Sequence, residues 1–192
     1  MEREVILTGI GGQGVQVAAR ILAEAANREG RQVMMFGIFM GMIRGGSSES
    51  TVVASTEEIQ APPVVPRTWA VLALHPDGLP ALERKARERG VLLANGSLVS
   101  NPPTWAGVHT ALVPATEIAE DLGVPLGATM VTLGAFAAAT EFVAARSLAQ
   151  AMAEVLPAHR RHLVDGNLRC LDAGAAYARR HGLGAGVQPA WG

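Results

Sequence analysis

The chain has 192 residues, of which 49% are hydrophobic and 17% are charged, and its formal net charge is -1 at pH 7. This length suits one domain with a proper core, and the composition excludes a disordered chain. A charge this close to zero, without any basic run, gives no electrostatic basis for a nucleic-acid partner, so none is expected.

The cysteine count and the pattern of apolar residues further restrict the kind of protein that the sequence can encode. Cys170 is the single cysteine, which excludes an internal disulfide and a four-cysteine cluster or zinc site. Met1–Glu4 lacks the regions of a secretory signal, so a cytoplasmic protein is expected. The apolar stretch 122–145 is rich in Gly, Ala and Thr and is interrupted by Pro125, which favours a buried or interface helix over a membrane span.

A glycine-rich turn dominates the amino-terminal part of the chain. A short apolar run leads into Gly9, Gly11, Gly12 and Gly14, and a helical pattern follows, which predicts strand, tight turn and helix. Three of these glycines match the G-x-G-x-x-G spacing, in which glycines permit the turn and let backbone N–H groups approach an anion. The positive end of the helix dipole favours a phosphate or carboxylate there. The alternative is that the glycines only pack the helix against its strand.

A nicotinamide dinucleotide is disfavoured by the residues that follow. Such a site needs an acidic residue about 20 residues after the glycines to hold the ribose hydroxyls. The corresponding stretch 33–37 reads Val-Met-Met-Phe-Gly and contains no Asp, Glu or Arg. The glycine turn is therefore expected to serve another ligand or purpose.

The next elements are a helix from Val15 that ends at Gly30 and a strand over 32–36, interpreted as buried and parallel to the first. The stretch 36–43 then places Met, Phe and Ile among glycines, which indicates either a partner interface or a buried loop. After it, the segment Arg44, Gly45, Gly46, Ser47 combines a guanidinium with flexible backbone and a hydroxyl, a suitable grip for an anion. The alternative is an arginine that caps a neighbouring loop.

Strands and helices alternate through most of the remaining chain. The predicted strands are 50–55, 69–74, 91–94 and 108–113; the predicted helices are 79–89, 117–122, 130–144, 147–156 with Ser147–Gln150 as capping box, and 159–180. This order predicts an α/β fold: a Rossmann-like, doubly wound, mostly parallel sheet with helices on both faces and a helical carboxy-terminal part. Residues 1–182 are expected to form a single domain and 183–192 a flexible, glycine-rich tail.

Catalytic and metal-binding patterns give no candidates. No spacing of nucleophile and base stands out, so no catalytic residue is predicted. His159 and His162 share a helical face, but no third ligand lies near them in sequence, and a solvated basic helix accounts for them.

The paired motifs resemble those of a known family. Gly9–Val15, read together with Arg44-Gly45-Gly46, is similar to the gamma subunit, or fused gamma domain, of 2-oxoacid:ferredoxin oxidoreductases, which include pyruvate, 2-oxoglutarate, branched-chain and indolepyruvate enzymes. The likeness continues through 114–119, 133–136 and 167–174, and so covers nearly the whole chain. It departs at Met40-Gly41, where family members commonly have Tyr-Gly or His-Gly.

This resemblance implies a multi-subunit complex that oxidatively decarboxylates a 2-oxoacid to an acyl-CoA and passes the electrons to ferredoxin. Thiamine diphosphate, iron–sulfur clusters and coenzyme A are implied for the complex. This chain alone is expected to bind none of them, since it lacks a thiamine diphosphate motif and cluster cysteines. Its implied partners are alpha, beta and delta-type subunits. A homodimer of the isolated chain is left open.

Within that complex the chain is expected to be structural and to border the coenzyme A site. The residues assigned to that border are Gly11, Gly12, Gln13, Gly14, Arg44, Gly45, Gly46 and Ser47. The competing interpretation is a stand-alone nucleotide- or anion-binding Rossmann-like module without redox partners. The sequence leaves open which 2-oxoacid is used and what the stretch 36–43 does.

Overall fold

The computed structural model describes residues 1–39, 46–62 and 64–192. In these residues the strands are β1 (Glu2–Ile10), β2 (Gln32–Phe39), β3 (Ser47–Ser55), β4 (Thr68–Ala73), β5 (Ala86–Asn95) and β6 (His109–Val113). The α-helices are α1 (Val15–Arg28), α2 (Leu79–Leu82), α3 (Ala115–Asp121), α4 (Ala128–Thr140), α5 (Ala145–Val155) and α6 (Val164–Arg180).

The strands form one mixed sheet in the order β2-β3-β1-β4-β5-β6. From β1 through β4 and β5 to β6 all pairings are parallel, whereas β3 runs antiparallel to both β1 and β2. The predicted class, an α/β fold with a mostly parallel sheet, is therefore confirmed.

The prediction that β2 is a buried strand was wrong. The helix α1 does connect two strands of the same direction, but β3 lies between them, and among the described residues β2 pairs only with β3. As an edge strand it leaves Met35 38% and Phe36 39% exposed. Its apolar run had indicated a strand covered on both faces, because sequence periodicity does not distinguish a covered strand from an apolar edge.

Two apolar cores lie on opposite faces of the sheet. Val5 and Leu7 of β1 face the larger core, which contains the buried sides of α1 and of the helices from α3 to α6. Ile6 faces the smaller core, to which α2 contributes Leu79 and Leu82. This alternation is the period of a strand covered on both sides. Long helices thus cover one face, and one short helix with its loops covers the other.

The predicted helix 79–89 is much shorter in the structure. It consists of α2 and a 3-10 turn over 83–85, after which the chain enters β5 at Ala86. Arg89 has a φ of 60°, and its N–H donates to the Gly107 carbonyl at 2.7 Å. A right-handed helix cannot continue through that conformation, so the polar residues that suggested a solvated helix belong to an irregular strand start.

The carboxy-terminal helices also begin and end differently from the prediction. The helix α4 stops at Thr140 because Glu141 adopts a left-handed φ of 54°. The next helix starts at Ala145, and the carboxylate of Glu29 accepts the N–H of Ala144 at 2.7 Å, so the predicted capping box at Ser147 is wrong. The last helix is preceded by a 3-10 segment over 158–163.

The segment 183–192, predicted to be a flexible tail, makes specific contacts with the domain. The indole N–H of Trp191 donates to the carbonyl of Phe142 at 2.9 Å, and the guanidinium of Arg31 lies 3.7 Å from the centre of the Trp191 ring. Ala190 is fully buried. The glycine content that predicted mobility did not reveal these contacts, which depend on residues far away in the sequence.

An ion pair between a buried carboxylate and a partly exposed arginine joins the amino-terminal ends of β1 and β5. The carboxylate of Glu4 accepts a hydrogen bond from Arg87, and its Oε2 atom is buried without a partner among the described residues. Burial raises the pKa of the Glu4 carboxyl, and the charge of Arg87 offsets part of that shift. The arginine therefore makes an ionised carboxylate tolerable at a position that is 2% exposed.

Replacing Arg87 by Ala should lower the free energy of unfolding by about 2 kcal/mol near neutral pH, because a buried carboxylate loses its partner. Because the pKa of Glu4 is raised in the folded protein, stability is lost as the pH rises from the pKa of Glu4 in the unfolded chain through its pKa in the folded one. The loss should therefore be smaller near pH 4.5, where Glu4 is more protonated. Urea unfolding at both pH values measures it.

The matched control is Arg84→Ala at an exposed arginine on the preceding turn. An equal loss in both variants at both pH values would contradict the assigned role of the Glu4–Arg87 pair.

Candidate functional site

The glycine turn between β1 and α1 has the backbone that its sequence predicts. Gly12 and Gly14 have φ angles of 96° and 80°, in the left-handed region that glycine adopts without strain. Gly9 has a different reason to be glycine, since a Cβ atom there would lie 2.6 Å from the Gln13 side chain and 3.2 Å from Leu74 Cβ. The turn is therefore both conformationally restricted and closely packed.

Gln13 holds the turn in place through its own side chain. Its Oε1 accepts the N–H of Ile10 at 2.9 Å, and its Nε2 donates to the carbonyl of Leu74 at 3.3 Å. Its backbone carbonyl accepts a hydrogen bond from the hydroxyl of Thr129 in α4. Gln13 thus links the ends of β1 and β4 to the start of α4, and its side-chain amide stabilises the turn.

The second predicted segment lies directly beside the turn. The N–H of Gly11 donates to the carbonyl of Gly46 at 2.9 Å, and Ile10 pairs with Ser47 in the β1–β3 register. Gly11 and Ser47 are both exposed. Gly11 and Ser47, which are 36 positions apart in sequence, therefore share one surface at the end of β1.

Two predicted site residues, Arg44 and Gly45, lie outside the described residues, as does the part of the predicted apolar loop from Met40 to Ile43. Of the eight residues assigned from sequence, the structure brings together the six that it describes: Gly11, Gly12, Gln13, Gly14, Gly46 and Ser47.

A polar network attaches the first turn of α1 to the strands beneath it. Gln16 Nε2 donates to the carbonyl of Glu49 at 3.0 Å, and Gln16 Oε1 accepts from the hydroxyl of Ser50 at 2.6 Å. A Cβ atom on Gly37 would lie 2.5 Å from the same Oε1. These contacts fix the direction in which the amino-terminal end of α1 points.

The turn lies at a topological switch point of the sheet. The chain leaves β1 toward α1 on one face, and it leaves the adjacent parallel strand β4 toward α2 on the other face. In open α/β sheets, this divergence opens a crevice at the carboxyl ends of the strands, where ligands bind. The topology therefore marks the place independently of the glycine spacing.

His75 also lies at this edge of the sheet, although it received no functional role from the sequence. It follows β4, its Nδ1 accepts the N–H of Asp77 at 3.4 Å, and the same atom lies 3.3 Å from Asp77 Oδ1. Its neighbour Leu74 carries the carbonyl that Gln13 binds. The order of the strands in the sheet was the missing signal, since only that order places the end of β4 beside the glycine turn.

The backbone N–H groups at this edge differ in whether the protein itself supplies an acceptor for them. The N–H groups of Gly11 and Gln13 bind Gly46 and Ile10, whereas those of Gly12 and Gly14 have no acceptor among the described residues. The first turn of α1 contains no acidic residue and its cap has no side-chain hydrogen bond. This arrangement suits an anion, which would receive backbone hydrogen bonds and the favourable end of the helix dipole.

The neighbouring helix α3 offers no comparable site. The buried side chain of Asn95 accepts the N–H groups of Ala115 and Thr116 at 3.1 and 3.4 Å. Its amide also donates to the hydroxyl of Thr116. The protein therefore satisfies this helix start with its own amide group.

Three other observations concern the chemistry of the described residues. No helix among them has the length and apolar character needed to cross a membrane. Their His, Cys, Asp and Glu side chains form no group of three that could hold a metal ion. Cys170 is fully buried in α6, and burial raises the pKa of its thiol.

The comparisons with known proteins place this geometry in a family. Residues 4–177 match the family model described as pyruvate ferredoxin/flavodoxin oxidoreductase. The chain belongs to this family. The oxidoreductase family to which the paired glycine motifs pointed is thereby confirmed.

Individual relatives agree with the assignment. The 2-oxoglutarate synthase subunit KorC of Methanocaldococcus jannaschii is 34% identical over 82% of this chain and 85% of its own length. The ketoisovalerate oxidoreductase subunit VorA of Methanothermobacter thermautotrophicus is 32% identical, and the match spans 94% of this chain but only 37% of VorA. The solved gamma subunit of the keto/oxoacid ferredoxin oxidoreductase of Geobacter sulfurreducens is 28% identical, with a TM-score of 0.78 over 93% of this chain and 99% of that one.

Replacing Gly14 by Ala should lower the free energy of unfolding by about 1 kcal/mol, because an alanine in the left-handed region is strained. No neighbouring atom lies within 4 Å of the added Cβ, so the loss would report backbone conformation alone. Chemical denaturation of both proteins measures it. Asn, which tolerates this region, is the matched control and should cost less than Ala; an alanine variant as stable as the parent would contradict the conformation.

Proposed function

We propose that this chain is the gamma subunit of a 2-oxoacid:ferredoxin oxidoreductase. The complete complex would oxidatively decarboxylate a 2-oxoacid to an acyl-CoA and pass the electrons to ferredoxin. Family membership, the similarity to a KorC subunit over 85% of its length and the similarity to a solved gamma subunit support this assignment. The conclusion rests above all on the match over residues 4–177.

The chain's own residues are consistent with a non-catalytic role. Its one cysteine is buried, so it cannot supply the four thiolates of an iron–sulfur cluster. In this proposal, thiamine diphosphate and the clusters are held by the alpha, beta and delta-type partners, as the family resemblance implies.

Within the complex, we assign the glycine turn and the segment Arg44–Ser47 to the border of the coenzyme A site. The contact between Gly11 and Gly46 supports this assignment, because it joins the two segments at the switch point of the sheet. The N–H groups of Gly12 and Gly14 would receive phosphate oxygens, and the Arg44 guanidinium would add a charge-assisted contact. Gln13 would act indirectly, through the shape of the turn.

Purification of the tagged full-length chain from its native source tests the subunit assignment. We expect larger partner chains to accompany it and to bring the colour of iron–sulfur clusters, together with 2-oxoacid-dependent reduction of ferredoxin. Isolation as a colourless single chain that binds a mononucleotide would instead support a stand-alone anion-binding module.

Replacing Arg44 by Ala in the complete complex should raise the KM for coenzyme A roughly tenfold, the effect of losing one charged hydrogen bond. The turnover rate at saturating coenzyme A should change little, because the residue is assigned to binding. Steady-state kinetics with varied coenzyme A measures both. Arg44→Lys should fall between the two, since a lysine keeps the charge but not the planar fork.

Arg67→Ala is the matched control, because Arg67 is exposed just before β4, at the opposite end of that strand from the glycine turn. An unchanged coenzyme A dependence in the Arg44 variant would contradict the assigned border while leaving the subunit assignment intact.

A further inference from the structure

The outer edge of β2 is an apolar edge without the usual protection of an edge strand. Between Gln32 and Phe39 the sequence contains no charged residue and no proline, the devices by which proteins usually protect an edge strand. Only β3 pairs with this strand in the part of the chain that the structure describes. Its outward backbone groups are therefore available to another strand.

Both faces of this edge are apolar. Val33 lies against the larger core and Met34 against the smaller one, as the alternation of a strand requires. The next residue on each side, Met35 and Phe36, is 38% and 39% exposed. A strand added here would cover apolar side chains on both sides of the sheet.

The charges beside this edge are arranged so that a second copy would complement them. A groove of about 360 Å³ separates β2 from the outer side of α1, and it is lined by Arg20 and Glu24 together with Val33 and Met35. Arg20 and Glu24 are one helical turn apart. A twofold axis through the strand edge at this level inverts their order, so that each Arg20 faces Glu24 of the other copy.

The distances allow this pairing. The helix α1 packs on β3 and β2. Across a β2–β2 contact, three strand spacings of about 4.8 Å separate β3 of one copy from β3 of the other. The two α1 helices would therefore lie about 14 Å apart. Extended arginine and glutamate side chains span such a gap.

We propose that β2 is the dimerisation edge of this chain: two copies pair their β2 strands antiparallel, which joins the two sheets, and reciprocal Arg20–Glu24 contacts fix the register. This proposal does not rest on the coenzyme A assignment, because it uses none of the residues assigned to that border.

Charge reversal in the full-length chain tests the identity of the partner. Arg20→Glu places two like-charged pairs across the axis, and so does Glu24→Arg, so each variant alone should have a dimer dissociation constant raised roughly tenfold or more. An equal mixture of the two variants restores opposite charges at both contacts and should form a mixed dimer close to wild-type affinity. Sedimentation equilibrium at low salt measures all three, and circular dichroism checks that each variant is folded.

Met35→Lys tests the strand contact by a second route, because a lysine on the edge opposes strand addition. It should abolish the dimer, whereas Leu126→Lys, at a side chain that is 87% exposed away from β2, should not.

Three results would overturn the proposal. One is a wild-type chain that stays monomeric at the highest concentration that keeps it in solution. Another is a mixture of charge-reversal variants that does not recover the dimer. The third is a dimer whose affinity is unchanged by Met35→Lys. A monomeric wild-type chain whose β2 is covered by a strand from another subunit would assign the edge to a hetero-complex.

Discussion

The hydrogen bond from Gly11 to Gly46 is the contact on which the site depends. It exists because β3 runs between β1 and β2, antiparallel to both, so that the start of β3 meets the end of β1. A purely parallel arrangement would instead place the carboxyl end of another strand beside the glycine turn. The reversal of one strand thus joins two motifs that are remote in sequence.

Other contacts hold the turn in the same position. The side chain of Gln13 reaches β4 through Leu74, and the hydroxyl of Thr129 reaches back from α4 to the turn. Two glycines in left-handed conformations allow the chain to bend between these anchors. The side-chain hydrogen bonds at this edge therefore shape the turn, while the N–H groups of Gly12 and Gly14 have no acceptor among the described residues.

Sequence reasoning succeeded where local patterns are strong. The glycine turn, the amphipathic helix α1 and the apolar strand β4 all follow from residues within each segment. The residues assigned to the candidate site also came from local sequence, because glycine spacing and the Arg-Gly-Gly segment are sequence motifs. Their adjacency was not derivable in the same way, since it depends on the antiparallel pairing of β3 with β1.

The failures share one physical cause, which is contact between distant residues. The polar segment around Arg87 looks helical in isolation, but its partner Glu4 is in β1, and the chain there is a strand. The helix α5 begins at Ala145 because Glu29, at the end of α1, binds the preceding N–H group. His75 received no functional assignment from the sequence, since the strand order that places it beside the glycine turn is a property of the whole sheet.

The residues that hold the glycine turn come from distant parts of the sequence, which affects when the turn forms during synthesis. The glycine turn emerges from the ribosome early, but Gly46, Leu74 and Thr129, which hold it, follow in that order and the last lies two thirds of the way along the chain. Contacts this far apart carry a loop-closure cost and form late. A nascent chain therefore acquires the finished turn only when α4 has been synthesised, and a short peptide with the glycine motif lacks the restraints that give it shape.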